Sequence, residues 1–136
     1  MNPWTTCCHS FYCNVAKVFY AIAYIDGEIR DEEYTSFKEA LKKEWVEKHK
    51  GRREVVDEIV ARFEALKKEK RIAVDCFQEF VAYKKEHEKL FTNPMRSTIW
   101  ELACSIADVV NKKNKSELIL LAHLGRHLGL IKPRVQ

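Results

Sequence analysis

Apolar residues recur three and four positions apart along most of the chain, and this spacing predicts a series of α-helices. Residues at that spacing fall on one face of a helix, so each apolar stripe marks a face that packs against other helices. No alternating strand pattern competes with it. The predicted helices run from about Ser10 to Ile25, Asp31 to His49, Arg53 to Lys68, Val74 to Leu90, Met95 to Val110, and Lys115 to Leu128. The pattern therefore predicts an all-α bundle of about six or seven helices.

Residues that favour helix ends lie where these stripes begin and stop. Three acidic residues open the second helix, where the helix dipole favours negative charge. Asn93 and Pro94 precede the fifth helix and Gly129 follows the sixth, as is typical of helix boundaries. The predicted organisation is an N-terminal segment that is partly ordered, one helical domain, and a C-terminal tail, with the ranges 1–14, 15–130 and 131–136.

The first and last predicted helix pairs match each other without gaps when Val15 is placed on Ile99. The apolar positions that then coincide are Val15 with Ile99, Val18 with Leu102, Phe19 with Ala103, Ile22 with Ile106, and Ile25 with Val109. The turns coincide as well, because Gly27 meets Asn111, and these two residue types best tolerate a left-handed turn. The match predicts an internal pseudo-twofold repeat, with Gly27 and Asn111 forming turns on the same side of the bundle.

Three acidic residues lie on apolar stripes rather than on polar helix faces. Asp26 continues the stripe of the first helix, and Glu33 coincides with Glu117 in the repeat, whereas Asp26 coincides with Val110. A buried carboxylate without a partner is costly, so each is expected to have one. In one interpretation the carboxylates accept hydrogen bonds from free backbone N–H groups at helix ends. In the other, Asp26, Glu33 and Glu117, with Asp108 nearby but out of register, hold a divalent cation completed by water or carbonyl oxygens.

The segment VFYAIAYIDGEIRDEEYTSFKEAL resembles the motif of the TerB-like tellurite-resistance proteins. The residues that match this motif are Asp26, Gly27, Ile29 and Glu33. The segment ELACSIADVVNKKNKSELILLAHLGRHLGL resembles the degenerate C-terminal copy, in which Glu117 matches but Val110 and Asn111 replace the Asp and the Gly. The resemblance implies an all-helical bundle with pseudo-twofold symmetry and a link to tellurite and stress resistance. It also implies an accessory or scaffold module that is metal-responsive, acts near membranes, and has no established catalysis.

The composition indicates one soluble domain. The chain has 136 residues, of which 32% are charged and 46% hydrophobic, and only four are glycine. The net charge of +4 combines mixed signs, and no aromatic–basic pattern accompanies it, so nucleic-acid binding is not expected. No apolar run is long enough for a transmembrane helix and no signal peptide is visible. With an odd number of cysteines, these features predict a cytoplasmic protein with reduced thiols.

The sequence between Ile22 and Glu33 also resembles the second half of a calcium loop. With Gly27 at the sixth loop position, Asp26 and Glu33 fall at ligand positions. Ile22 and Tyr24 then occupy the first and third positions, where neither side chain can coordinate calcium. A working calcium loop is therefore not predicted.

Two other groups of residues contain side chains of the types that serve as zinc ligands. The N-terminal cluster consists of Cys7, Cys8, His9 and Cys13, but no second cluster accompanies it, as structural zinc sites usually require. His123 and His127 are spaced as in zinc hydrolases, but Leu124 stands where the catalytic Glu would follow the first His. The histidines are interpreted as part of a polar helix face, and the cysteines as a terminal segment.

The predicted function is a non-catalytic TerB-like module that interacts with protein partners at the membrane periphery. No cofactor is expected, although a divalent cation is retained as the alternative use of the inward carboxylates. The alternative function is a metal-dependent hydrolase or a divalent-cation-binding protein. No nucleophile elbow or phosphate-binding loop supports an enzyme.

Overall fold

The computed structural model describes residues 3–25, 30–48, 53–110 and 115–129, and their side chains over 11–25, 30–43, 45–46, 54–108 and 119–129. Within these ranges the chain forms six α-helices and no strand, which confirms the predicted all-α helical bundle. The helices are α1 Pro3–Tyr24, α2 Asp31–Lys42, α3 Arg53–Lys68, α4 Ala73–Glu86, α5 Asn93–Val110 and α6 Lys115–His127. A π-helical segment, Lys43–Lys48, continues α2, and a 3₁₀ turn, Glu88–Leu90, follows α4.

Helix α1 lies at the centre of the bundle and is surrounded by its neighbours. It packs most extensively against α3 and α4, then against α5, and also contacts α6. Its segment from Val18 to Ala23 is apolar or aromatic at every position, and every side chain there is buried. A helix that is apolar on all sides is stable in water only when other elements cover it. The sequence of α1 therefore specifies a central helix rather than a surface one.

An aromatic cluster joins α1, α2 and α3. The Phe63 side chain is completely buried, and its ring lies 4.7 Å from that of Phe37 and 5.4 Å from that of Tyr34, measured between ring centroids. Tyr20 and Tyr24 of α1 complete the cluster, with centroids 5.7 and 6.0 Å from Phe63. Offset and edge-on ring pairs of this kind add to the stability that burial of their area provides. The cluster therefore fixes α3 against both other helices.

A polar network fixes the connection between α3 and α4 against α1. The Glu79 carboxylate accepts hydrogen bonds from the Arg71 guanidinium and from Lys17 Nζ, the latter 3.0 Å away. The Tyr20 hydroxyl donates a hydrogen bond of 2.8 Å to the Arg71 carbonyl oxygen. Burial by itself would raise the pKa of Glu79, but the two cationic partners lower it. The network therefore links three parts of the chain through one carboxylate.

Arg96 joins the start of α5 to the end of α6 by one hydrogen bond and forms a second one within α5. Its Nη1 donates to the Leu128 carbonyl oxygen at 3.4 Å, and its Nη2 donates to Asn93 Oδ1 at 2.6 Å. Gly129 follows with a φ of +74°, a left-handed conformation that is common directly after a helix. The start of α5 is thus attached to the end of α6.

Three helix boundaries differ by more than two residues from those predicted. Helix α1 begins at Pro3 rather than near Ser10, because proline is favourable in the first helical turn, where its missing N–H is not needed. The second helix changes to π-helical geometry at Lys43. The fourth ends at Glu86, before a 3₁₀ turn. The pattern of apolar positions does not distinguish these helix types, since their periods differ little over a few residues.

The predicted internal repeat remains a prediction. The coinciding positions Val15 and Ile99, like the pairs that follow them to Ile22 and Ile106, are all fully buried. Two core helices of the same period would also show this agreement. The turns on which the pseudo-twofold axis depends, including Gly27 and Asn111, lie outside the described residues.

Candidate functional site

Glu33 is the predicted inward acid whose surroundings the structure describes. Its Oε1 accepts a hydrogen bond of 2.7 Å from the backbone N–H of Arg30, the residue that precedes α2. The Glu33 side chain is only 16% exposed, whereas its neighbours Asp31 and Glu32 are exposed. Glu33 therefore forms the kind of hydrogen bond to a helix-end N–H that the first interpretation of the carboxylates requires.

The other predicted metal candidates are not brought together by the described structure. Asp108 is exposed on α5. Asp26 lies outside the described residues, and so does the side chain of Glu117, whose backbone belongs to α6. Among the described side chains, no three His, Cys, Asp or Glu residues are grouped so that they could hold a metal ion. The shared cation site thus remains a sequence-based hypothesis.

Glu33→Gln is expected to lower the free energy of unfolding by about 0.5–1 kcal/mol. The amide keeps an acceptor oxygen but loses the charge that strengthens the bond to Arg30, and the exposure of this bond to water limits the loss. The matched control is Glu32→Gln, in the same helical turn but exposed. Thermal melting should show a smaller effect for the control.

The wild type, Glu33→Gln and Glu32→Gln also test the cation hypothesis. Melting is repeated with a chelator and with millimolar calcium, magnesium, manganese or zinc. If the acid only caps α2, all three proteins respond to each metal alike. A metal bound by the folded state at a hundred times its dissociation constant would stabilise the wild type by about 2.7 kcal/mol. Such a gain, absent from Glu33→Gln but present in Glu32→Gln, would contradict the capping role alone.

A different feature is a groove between α4 and α6. It has a volume of about 790 Å³, and Ile25, directly after α1, forms part of its wall. Helix α4 contributes Val74, Phe77, Gln78, Val81, Ala82 and Lys85. Helix α6 contributes Ile119, Leu120, His123 and His127. Both sets follow helical spacing, so each helix presents one continuous face to the groove.

The groove combines an apolar wall with Lys85 and two histidines. Lys85 is exposed, His123 is exposed, and His127 is half-buried with its ring edge-on to Phe77, 6.2 Å between centroids. Nearby, Lys84 is largely buried and forms a 2.8 Å ion pair with Glu88. The described lining contains no Asp or Glu side chain. An apolar surface with convergent polar groups of one sign is typical of a binding site.

The pKa of His127 is lowered below its ordinary value, first by burial and then by the positive charges of Lys85 and Lys84 and by His123. The folded state therefore favours the neutral imidazole. As the pH falls through about 6.5, the unfolded chain takes up a proton that folded His127 resists, so stability is lost on acidification.

We expect the wild type to lose more melting temperature between about pH 7.5 and pH 5.5 than His127→Gln does. Substitution also disturbs the contact with Phe77, so the readout is the change with pH rather than the absolute melting temperature. His87→Gln, at an exposed position, serves as the control and should retain the wild-type pH response. Equal pH responses for His127→Gln and the wild type would contradict a neutral His127 in the folded protein.

The sequence analysis assigned the two histidines to a polar helix face and did not identify the groove. A signal was present in α4, where apolar residues extend beyond the core stripe of Ala73, Cys76 and Phe80 to include Val74 and Val81. A stripe that wide indicates a second packing partner. The N-terminal zinc candidates Cys7, Cys8 and His9 lie outside the described side chains, and Cys13 is half-buried with a free thiol.

The described lining of the groove consists of apolar side chains together with Gln78, Lys85, His123 and His127. It contains no Ser, Thr, Cys or Tyr that could act as a nucleophile beside the histidines. The buried Cys76 lies outside this lining, and burial raises the pKa of its thiol, which keeps it protonated.

No protein family, curated protein or solved structure matches the chain. None of the described helices is both long and apolar enough to cross a membrane.

Proposed function

We propose that this protein is a non-catalytic binding module of the TerB-like type, which docks a protein partner in the groove between α4 and α6. The observation that carries this proposal is the concentration of exposed apolar surface at the groove. Among the described residues, the exposed large hydrophobic side chains are Ile72, Val74 and Ile119. Val74 and Ile119 line the groove, and Ile72 directly precedes α4.

The exposure of these side chains is unfavourable unless something covers them. Val74 is 45% exposed and Ile119 is 52% exposed, although both belong to helices with well-buried core faces. Complete burial of one such side chain contributes about 1.5–3 kcal/mol, so covering the groove would supply a substantial part of a binding energy. Exposed apolar patches of this kind commonly mark interaction surfaces.

The proposed setting is cytoplasmic tellurite or stress resistance, with the module acting as a scaffold near the membrane. The support for this setting is the resemblance of the segment around Asp26, Gly27 and Glu33 to the TerB-like motif. The described fold is compatible with it, because an all-helical bundle is what that resemblance implies. The two sources of support are independent: the motif suggests the setting, and the groove supplies the surface.

A complementation experiment tests the proposal. A host strain that lacks the gene is challenged with tellurite and supplied with the wild type, Ile119→Asp or Lys68→Glu. Ile119→Asp places a charge on the exposed wall of the groove, whereas Lys68→Glu changes an exposed residue at the end of α3. We expect the wild type and Lys68→Glu to restore growth and Ile119→Asp to fail while melting like the wild type.

A photo-crosslinking residue at position 119 identifies the partner in the same cells. We expect one protein to be captured from position 119 and not from position 68. Full rescue by Ile119→Asp would overturn the role of the groove. Unchanged tellurite sensitivity in the deletion strain would overturn the TerB-like setting.

A further inference from the structure

We infer that the occupant of the groove is an amphipathic α-helix of the partner with carboxylate side chains beside its apolar face. This inference rests on the proposed function, because it specifies the partner segment that the same groove accepts. Three observations carry it: the length of the groove, the openness of its rim, and the sign of its charged groups.

The length of the groove corresponds to about three turns of helix. On α4 the lining extends from Val74 to Lys85, a rise of roughly 16 Å at about 1.5 Å per residue. On α6 it extends from Ile119 to His127. A helix placed between two others packs its apolar ridge into the space that they leave, and it contacts them through residues three and four apart. The spacing of the lining residues on both walls suits such a ridge.

The rim of the groove favours a partner segment over an enclosed small ligand. A small ligand usually has most of its surface buried in its site. Here the rim residues Val74 and Ile119 are about half exposed, so they do not enclose the groove. A helix that belongs to a larger partner covers such a rim with its flanking residues. The apolar area at Ile72, just outside the lining, extends the same surface.

The charges of the lining select an acidic partner. Lys85 carries a positive charge, whereas the folded state favours the neutral imidazole of His127. No carboxylate among the described lining residues neutralises Lys85. A basic helix would bring like charges together at Lys85, whereas a glutamate beside the apolar ridge would form a complementary pair with it. Charge complementarity therefore distinguishes between helices of equal hydrophobicity.

Two synthetic helices of about fifteen residues test this inference on the full chain. Both carry leucine at positions three and four apart; one has glutamate at the flanking positions and the other lysine. Binding is measured by calorimetry, and the binding site is mapped by changes in amide NMR signals. We expect the acidic helix to bind at least about tenfold more tightly, with changes confined to α4, α6 and Ile25, and with weaker binding at high salt.

Variants connect this preference to the groove. Lys85→Glu should reduce the affinity for the acidic helix by about tenfold and increase the affinity for the basic one. Ile119→Asp should weaken both helices. Lys68→Glu, outside the groove, is the matched control for the change in net charge and should bind like the wild type.

The outcomes separate this inference from the proposed function. If both helices bind in the groove with equal affinity, the acidic character of the partner is overturned and the docking role stands. If dodecanoate binds in the groove and neither helix does, a helical partner is overturned in favour of a small amphiphile. If neither helix nor dodecanoate binds, or if the NMR changes lie elsewhere, the groove is not the docking surface and both ideas fail.

Discussion

Phe63→Ala is expected to lower the free energy of unfolding by about 3–5 kcal/mol, the range typical of removing a buried aromatic ring. Phe63 is completely buried, and its ring contacts aromatic side chains from both α1 and α2. Removing it leaves a cavity at the junction of three helices. It also removes the ring contacts with Tyr34 and Phe37, which stabilise beyond the area that they bury.

The measurement is denaturant unfolding of three variants. Phe63→Leu retains most of the apolar volume and should lose much less stability than Phe63→Ala. Lys68→Ala, at an exposed position of the same helix, should stay within about 0.5 kcal/mol of the wild type. A loss below about 1 kcal/mol for Phe63→Ala would be incompatible with a fully packed ring at this position.

Gly129→Val is expected to lower the free energy of unfolding by about 2–3 kcal/mol. The φ of +74° lies in the left-handed region, which a β-branched side chain adopts only with strain. An added Cβ would lie 3.4 Å from Arg96 Nη1, at the end of a flexible side chain that can move. The cost therefore comes from the backbone rather than from a clash. Since the neighbouring Leu128 is fully buried, α6 cannot relieve the strain freely.

Gly129→Asn is the control, because asparagine tolerates left-handed geometry better than other residues with a side chain. Its melting temperature should lie much closer to the wild type than that of Gly129→Val. Equal melting temperatures for the two variants would show that the helix end does not require left-handed geometry in solution.

The helices could be predicted well because their apolar stripes are long and regular. The third helix, Arg53–Lys68, has the predicted bounds, and the fifth begins only two residues before the predicted Met95. In α3 the stripe of Val56, Ile59 and Phe63 is buried, as its spacing requires. Periodicity indicates which face of a helix is covered, and in these helices the core of the bundle covers that face.

The groove could not be predicted in the same way, because it depends on the space that α4 and α6 leave between them. Phe77, Phe80 and Val81 all follow the apolar spacing of the fourth helix. Phe80 is fully buried in the core, whereas Phe77, which is also buried, and the partly exposed Val81 line the groove. An apolar residue gives the same signal whether a helix of its own chain covers it or a partner does. Only the arrangement of α4 beside α6 distinguishes the two cases.

A hydrogen bond from a helix-end N–H to Glu33 was one of two interpretations that the sequence supported, whereas the network around Glu79 was not accessible from the sequence. Glu33 and Arg30 are close in the chain, so the first turn of α2 suffices to bring them together. Glu79 and Lys17 meet only because α4 packs on α1. Contacts between distant residues follow from the packing of helices, which a local pattern does not contain.

The central position of α1 has a consequence for the order of events during protein synthesis. Helix α1 precedes α3, α4 and α5 in the chain, yet these are the helices that cover it. While the ribosome adds them, the apolar surface of α1 stays without its native neighbours, and exposed surface of this kind makes nascent chains prone to aggregate. The apolar surface of newly made α1 therefore acquires its native cover only after α3, α4 and α5 have been added.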